Sequence, residues 1–553
     1  MATTDLDVEA ALHAVDVLVS MNRRDDGNTA AEVVVAGSAD KEKDNPPQLP
    51  QNWDRCHAYN ERKRRFCRQI PAANQNFCGN HLHCLEEESR SSNKKKKDRG
   101  ARIPCPIDPS HLIFESALEK HVLICPAAKQ KEETRLKQYY REGTNTGGFG
   151  ELGDNKIEMD LCRSKMLAMA VMKVFCTIFP SAVLSPTKKS DDDNVNLSDK
   201  VLKSVTEKDI YNALPEVDLS HAEDGLANDI SKHKINVGGP RHLHQIASIL
   251  GHVRQKSVIE ATVQDREYNV IEMGAGRGML GLVIASALGA AQTENASSKV
   301  KLYLVERSGT RYKAETKIRT VGDTTQNSDD NLRLDRIEFK RIKCDLAHVH
   351  MSTALPFLAT TKSEMSRTIV VAKHLCGAGT DLAIKSLREI AQCGNVDCCI
   401  MATCCHGLCT WSDYVGRDCF LELFRDVGGL ATFGARDFDQ LKRWTSASVL
   451  ENNPIAKEQQ ANNEHKPIKS YLPQNIFLAV QELGLVCGVR GLGRACQRLI
   501  DYGRTDYIKR HLFQTKSSSE QSHYKSDDIS LCHYVSSEIT PQNTLIVAVR
   551  SLA

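Results

Sequence analysis

Tyr268-Asn269-Val270-Ile271-Glu272-Met273-Gly274-Ala275-Gly276-Arg277-Gly278-Met279-Leu280-Gly281 reads as a strand, a tight glycine turn and the start of an apolar helix. Glycines let a backbone take positive φ and approach a ligand closely. The spacing is G-x-G-x-G, with Glu272 two residues before Gly274. A dinucleotide-binding turn has G-x-G-x-x-G, with a pyrophosphate over the helix N-terminus. Met279 stands where the third glycine of that pattern belongs, and Glu272 sits poorly beside a pyrophosphate. The same carboxylate suits the ammonium of a methionine moiety. Glu272, Gly274, Gly276 and Gly278 are therefore expected to hold S-adenosylmethionine rather than a nicotinamide dinucleotide.

Outward from this loop, short apolar runs alternate with amphipathic stretches. Residues 269–273, 301–305, 336–343, 368–372 and 398–402 read as strands, and 279–290 and 381–392 as helices. This alternation predicts a doubly wound, Rossmann-like α/β domain. Glu306 ends the second strand, where an acid can accept ribose hydroxyls, and Asp345 follows the third, near an expected adenine. Two later strands run into dense polar sequence, Lys373-His374-Leu375-Cys376-Gly377 and Thr403-Cys404-Cys405-His406. Strand C-termini face the ligand crevice of such a sheet, so Lys373, His374, Asp381, Cys404, Cys405 and His406 are expected to converge. A hydroxyl becomes a useful nucleophile when a desolvated lysine or a histidine takes its proton, which singles out Lys373, His374 and His406. Two further readings stay open. A thiolate of Cys404 or Cys405 would activate a pyrimidine ring, or the two would simply be small buried residues.

Upstream lie two clusters of soft ligands. Cys56, Cys67, Cys78 and His81 follow C-x10-C-x10-C-x2-H, and Cys105, His111, His121 and Cys125 follow C-x5-H-x9-H-x3-C. Thiolates with imidazoles suit tetrahedral zinc, and a closed set of four is structural. His121 and Cys125 fall at i, i+4 on a predicted helix over 116–124, so they share a face. Each segment is too short for a core of its own, and metal is expected to supply much of its folding energy.

The chain has 553 residues, 41% of them hydrophobic, and a formal charge of +3, which excludes a chain that is basic throughout. Positive charge is local, at Arg62-Lys63-Arg64-Arg65 and Lys94-Lys95-Lys96-Lys97. No run of apolar residues is long enough for a membrane span, and no signal peptide is evident. The twenty cysteines then read as ligands or buried groups in a reducing compartment, the nucleus or the cytoplasm. The resulting map is a disordered tail over 1–50, with a short helix over 8–21. A CCCH module over 51–85, a charged linker over 86–101 and a CHHC finger over 102–128 follow. A helical segment over 129–265 leads to a methyltransferase domain over 266–553, with polar insertions at 452–469 and 515–528.

Taken in order, the two metal modules and several motifs resemble one family from about Trp53 to the C-terminus. The motifs are Tyr139-Tyr140 with its Asn/Gly loop, Gln245-Ile246-Ala247-Ser248-Ile249, the glycine loop, Lys373-His374-Leu375-Cys376-Gly377, Cys404-Cys405-His406, Trp411 with Tyr414-Val415-Gly416, and Arg498-Leu499-Ile500-Asp501. The family is the eukaryotic tRNA:m4X modification enzymes, ribose 2′-O-methyltransferases of nucleotide 4 in the acceptor stem. The resemblance implies tRNA as partner and S-adenosylmethionine as donor, while the two ligand sets themselves read as two structural Zn2+ sites, and no membrane or obligatory protein partner is evident in the sequence. It also implies the CHHC zinc set. Gly407 stands where the family usually has a second histidine, which leaves Lys373, His374 and His406 as the expected bases. The alternatives are an RNA cytosine-5 methyltransferase and a non-catalytic, zinc-dependent RNA-binding protein.

Overall fold

The computed structural model describes residues 102–107, 112–147, 159–183, 198–223, 225–255, 266–292, 299–309, 314–321, 332–360, 366–449, 474–513 and 528–550, with short pieces at 56–57, 59–60, 65–66, 71 and 76. The expected helix over 8–21, the Lys94-to-Lys97 run, the 452–469 insertion and most of 515–528 lie outside the described residues. The chain divides into two compact units, Met1–Ala101 with Phe114–Ser116, and Arg102–Ile113 with Ala117–Ala553. In the first, Tyr59–Asn60 pairs antiparallel with Arg65–Phe66 shortly after the buried Cys56.

The second unit is built on a seven-stranded sheet. Its strands are β1 (Glu267–Met273), β2 (Val300–Val305), β3 (Ile337–Ile342), β4 (Ser366–Lys373), β5 (Cys398–Ala402), β6 (Asp528–His533) and β7 (Thr544–Val549). Their spatial order is β6-β7-β5-β4-β1-β2-β3. The five strands β1 to β5 pair parallel, and β7 inserts antiparallel between β5 and β6. Successive side chains serve opposite faces. Ile369 and Val371 enter one core with Val270, Leu302 and Ile400, while Val370 and Ala372 enter the other with Ile271 and Met401. Covered on both faces, the central strands read as continuous apolar runs rather than alternating ones.

Four of the expected strands agree with the sequence reading to within two residues, and the fifth matches it end for end. The predicted helix over 381–392 is two, Gly379–Ser386 and Arg388–Gln392, with Leu387 at the joint. The helical segment expected from 129 opens with the helix Pro126–Arg135, three residues earlier, where Pro126 takes the favoured first position. Strands β6 and β7 had no counterpart in the sequence reading. Three helices matter for the site: α1 (Leu161–Ile178), α2 (Pro240–Gln255) and α3 (Met279–Ala291). Helix α1 joins a third core with Tyr414, Trp444 and Leu499. No single helix among the described residues is long and apolar enough to cross a membrane.

Candidate active site and metal centres

The glycine turn joins β1 to α3, and its backbone is held from both sides. Gly276 N–H donates to Glu306 Oε2 at 2.8 Å, and Gly276 C=O accepts from Arg341 Nη1 at 3.0 Å. Its φ is +51°, and a Cβ built there would meet nothing within 4 Å. The loop is therefore pre-set around an open side, which is what a close-lying ligand requires. Gly274 and Gly278 also have positive φ. Glu272 is buried and turned toward the helix, where its Oε2 accepts from Gly281 N–H at 2.8 Å. Gly281 is the third residue of α3, so this carboxylate satisfies an amide that no preceding carbonyl reaches. Burial pushes the Glu272 carboxyl up to about 7, against the pull of the Gly281 N–H and of the Lys373 and Arg341 charges.

Glu306 sits at the tip of β2 as expected, with its second oxygen accepting from Ser308 N–H and Oγ–H, both at 2.7 Å. Asp345, past β3, accepts from Ala347 N–H at 3.0 Å and from Arg307 Nη1 at 3.3 Å. Residues after Tyr140 brace this corner, since Asn145 Nδ2 donates to Leu346 O at 2.7 Å and Val349 O at 2.8 Å. The helix trailing the CHHC segment reaches the same corner through Gln130 Nε2, which donates to Arg307 O at 2.9 Å.

The polar residues expected to converge divide into three groups. In the first, Lys373 Nζ at the exit of β4 lies 3.4 Å from His242 Nδ1 and 3.4 Å from Gln245 Oε1, both on α2. Burial lowers its ammonium to about 8, with the Glu272 carboxylate opposing. His374 follows at φ +64°, its ring edge-on to His242 with centroids 5.8 Å apart. Partial burial, with the Lys373 and His242 charges added, lowers its imidazole to about 4. His242 and Gln245 are partners that sequence reasoning missed. Gln245 stood in a quoted motif without a role, and nothing in the spacing linked it to β4.

In the second group, His406 is buried with Nε2 at 2.9 Å from both Asp501 oxygens. Thr403 Oγ1 donates to Asp501 at 2.9 Å. Arg504 donates to Asp501 at 3.0 Å and to Asp381 at 2.7 Å. Burial alone would raise the Asp501 carboxyl, but His406 and Arg504 outweigh it and hold it below the usual range. Asp381 and His406 thus belong to a buried ion network apart from Lys373. Buried charges of this kind persist only when paired. A Cβ at Gly407 would make ordinary contacts, 3.5 Å from Lys442 O, so the backbone there does not itself require glycine.

The third group is Cys376, Cys404 and Cys405, whose sulfurs lie within 4.8 Å of one another. Burial and the neighbouring Cys376 push the Cys404 thiol well up, and Cys405 is raised by burial as well. With no ion bound, a thiol held protonated is a poor nucleophile, which disfavours attack on a pyrimidine ring.

In the CHHC segment, Cys105, His121 and Cys125 bring their ligand atoms within 4.8 Å of one another, with Cys105 Sγ 3.8 Å from Cys125 Sγ and 3.2 Å from His121 Nε2. Both thiols are fully buried, while the adjoining Leu123 and Ile124 are 74% and 77% exposed. The cysteines are sheltered where apolar residues are not, so this donor set fits a zinc ion better than a core. His111 lies outside the described residues, as do Cys67, Cys78 and His81.

Comparisons with known proteins agree with this layout. The family described as "Methyltransferase TRM13" matches residues 244–549. A U11-48K-like CHHC zinc finger matches 102–126, and a CCCH zinc finger in TRM13 protein matches 54–82. The Homo sapiens protein named tRNA:m(4)X modification enzyme TRM13 homolog is 25% identical over 523 residues, covering 86% of this chain and 92% of its own length. The Saccharomyces cerevisiae tRNA:m(4)X modification enzyme TRM13 is 23% identical over 506 residues, covering 86% and 94%. The protein of the same name from Oryza sativa subsp. japonica is 25% identical over 272 residues, 45% of this chain and 91% of its own. With the methyltransferase match running over more than half of its length and two zinc-finger matches ahead of it, the chain belongs to the TRM13 methyltransferase family.

Proposed function

We propose that this chain methylates the ribose 2′-hydroxyl of nucleotide 4 in tRNA, using S-adenosylmethionine, on a class I Rossmann-like domain. The observation that carries the reading is Lys373, an amine lowered to about 8 at a strand exit in the parallel sheet. The strand order, with antiparallel β7 between β5 and β6, supports the domain class. The names of the relatives, tRNA:m(4)X modification enzymes, support the substrate.

Glu272, Gly274, Gly276, Gly278, Glu306 and Asp345 would hold the cofactor. When bound, S-adenosylmethionine supplies a methyl group on a sulfonium. Neutral Lys373 accepts the proton of the 2′-hydroxyl as oxygen attacks, and Gln245 with His242 orients the amine. His374, lowered to about 4, is neutral at working pH and does not add a competing charge. His406 positions the exit of β5 through Asp501. The two zinc modules dock the RNA, and their thiolate ligands suit a reducing compartment, the nucleus or the cytoplasm. Transfer of labelled methyl from S-adenosylmethionine to tRNA tests the reading. Lys373→Met should slow transfer by about 10²–10⁴-fold with cofactor affinity retained. Undiminished transfer by that variant would remove Lys373 as the base.

A further inference from the structure

We infer a third metal site, made by Cys376, Cys404 and Cys405 at the exits of β4 and β5 and suited to a thiophilic divalent cation such as zinc. Neither zinc-finger match reaches these residues, which lie within the methyltransferase match.

The geometry is that of a ligand set. Thiolates about 2.3 Å from a tetrahedral zinc stand about 3.8 Å from one another. Cys376 Sγ is 3.7 Å from Cys404 Sγ. The two thiols of the CHHC segment provide a reference within the same chain, at 3.8 Å. A disulfide would need sulfurs about 2 Å apart. Cys405 completes the group because of its backbone. Neighbouring residues leaving a strand point to opposite sides, but Cys405 takes φ +49°, which brings its thiol round beside that of Cys404. A left-handed conformation at a non-glycine residue is strained and persists where its surroundings require it. Soft sulfur donors select zinc or copper(I) over calcium or magnesium.

Only three His, Cys, Asp or Glu residues among those described share this cluster, which leaves one tetrahedral position for water. Cys376 is solvent-exposed and Cys404 is buried, so the ion would bridge the surface of one loop to the interior of the other. Both loops begin at strand ends that carry residues of the candidate site, and a metal there would fix the exit of β4 beyond Lys373.

Zinc released per chain, measured on the full protein purified without chelator, tests the site. Cys376→Ser and Cys405→Ser should each release one zinc fewer than the unsubstituted chain. Cys105→Ser should remove a different one, so that Cys105→Ser with Cys376→Ser loses two. Equal zinc in the unsubstituted chain and both crevice variants would overturn the assignment. A second measurement needs no variant. Alkylation of Cys376 by iodoacetamide, followed by peptide mass spectrometry, should be slow and become severalfold faster after chelation with phenanthroline. Equal rates with and without chelator, or protection relieved by a reductant instead, would overturn it in favour of free thiols or a disulfide.

Discussion

At Lys373 the charged and neutral forms come close to balance near physiological pH, because burial lowers the ammonium to about 8. In the proposed mechanism the neutral form is the base, and its share grows with pH. Methyl transfer under single-turnover conditions should therefore rise tenfold per unit at low pH and level off above about 8, a limb that Lys373→Met abolishes. Glu272 supplies a second titration, read through stability. Its carboxyl is raised in the fold from 4.5 to about 7, so it stabilises the folded chain at low pH and loses that contribution as pH rises through about 7. Glu272→Gln still accepts from Gly281 N–H and cannot ionise. The variant should lose the decline in stability between those two values, on the order of 3 kcal/mol, in denaturant titrations run across that range. Individual residues were legible to different degrees. Lys373 was visible because it ends an apolar run. Its partner Gln245 lies 128 residues earlier, and Asp501 lies 95 residues beyond His406, separations over which sequence spacing carries no signal.

Helix α3 and strand β1 meet through the side of the helix that carries Gly281. A Cβ there would stand 2.8 Å from Glu272 Oε2 and 2.8 Å from Leu302 Cδ1. Gly281→Val should lift the helix from the sheet and cost about 1–3 kcal/mol, seen as a lower urea midpoint with unchanged slope. A midpoint equal to that of the unsubstituted chain would show that the helix has room to spare there. The central strands were readable because burial on both faces turns them into unbroken apolar runs of near-ideal length. Strand β6 escaped notice because Asp528, Ser530 and His533 break its run. Its place in the sheet comes from pairing with β7 across a connection of ten residues, His533 to Thr544 by register. Helix Gly488–Tyr507 escaped for a related reason: four glycines lower its intrinsic helix propensity, and tertiary packing restores it, with 14 of its 20 residues buried.

At the scale of the whole molecule, the mixed α/β sheet, its glycine turn and most of the CHHC segment fall in one compact unit, while the CCCH segment falls in the other. The metal modules and the sheet divide the labour as the family match does, with zinc fingers ahead of a methyltransferase. The glycine turn led the sequence reading to S-adenosylmethionine, and the proposed substrate rests on the order of the motifs and on what the relatives are called. The most direct measurement is therefore of the product. Transfer RNA incubated with the full chain and S-adenosylmethionine should be digested to nucleosides for mass spectrometry and, in parallel, hydrolysed with alkali. A 2′-O-methylated nucleotide at position 4, with an alkali-resistant phosphodiester on its 3′ side, is the expected result. Methyl groups found only on bases, with every phosphodiester cleaved by alkali, would contradict it.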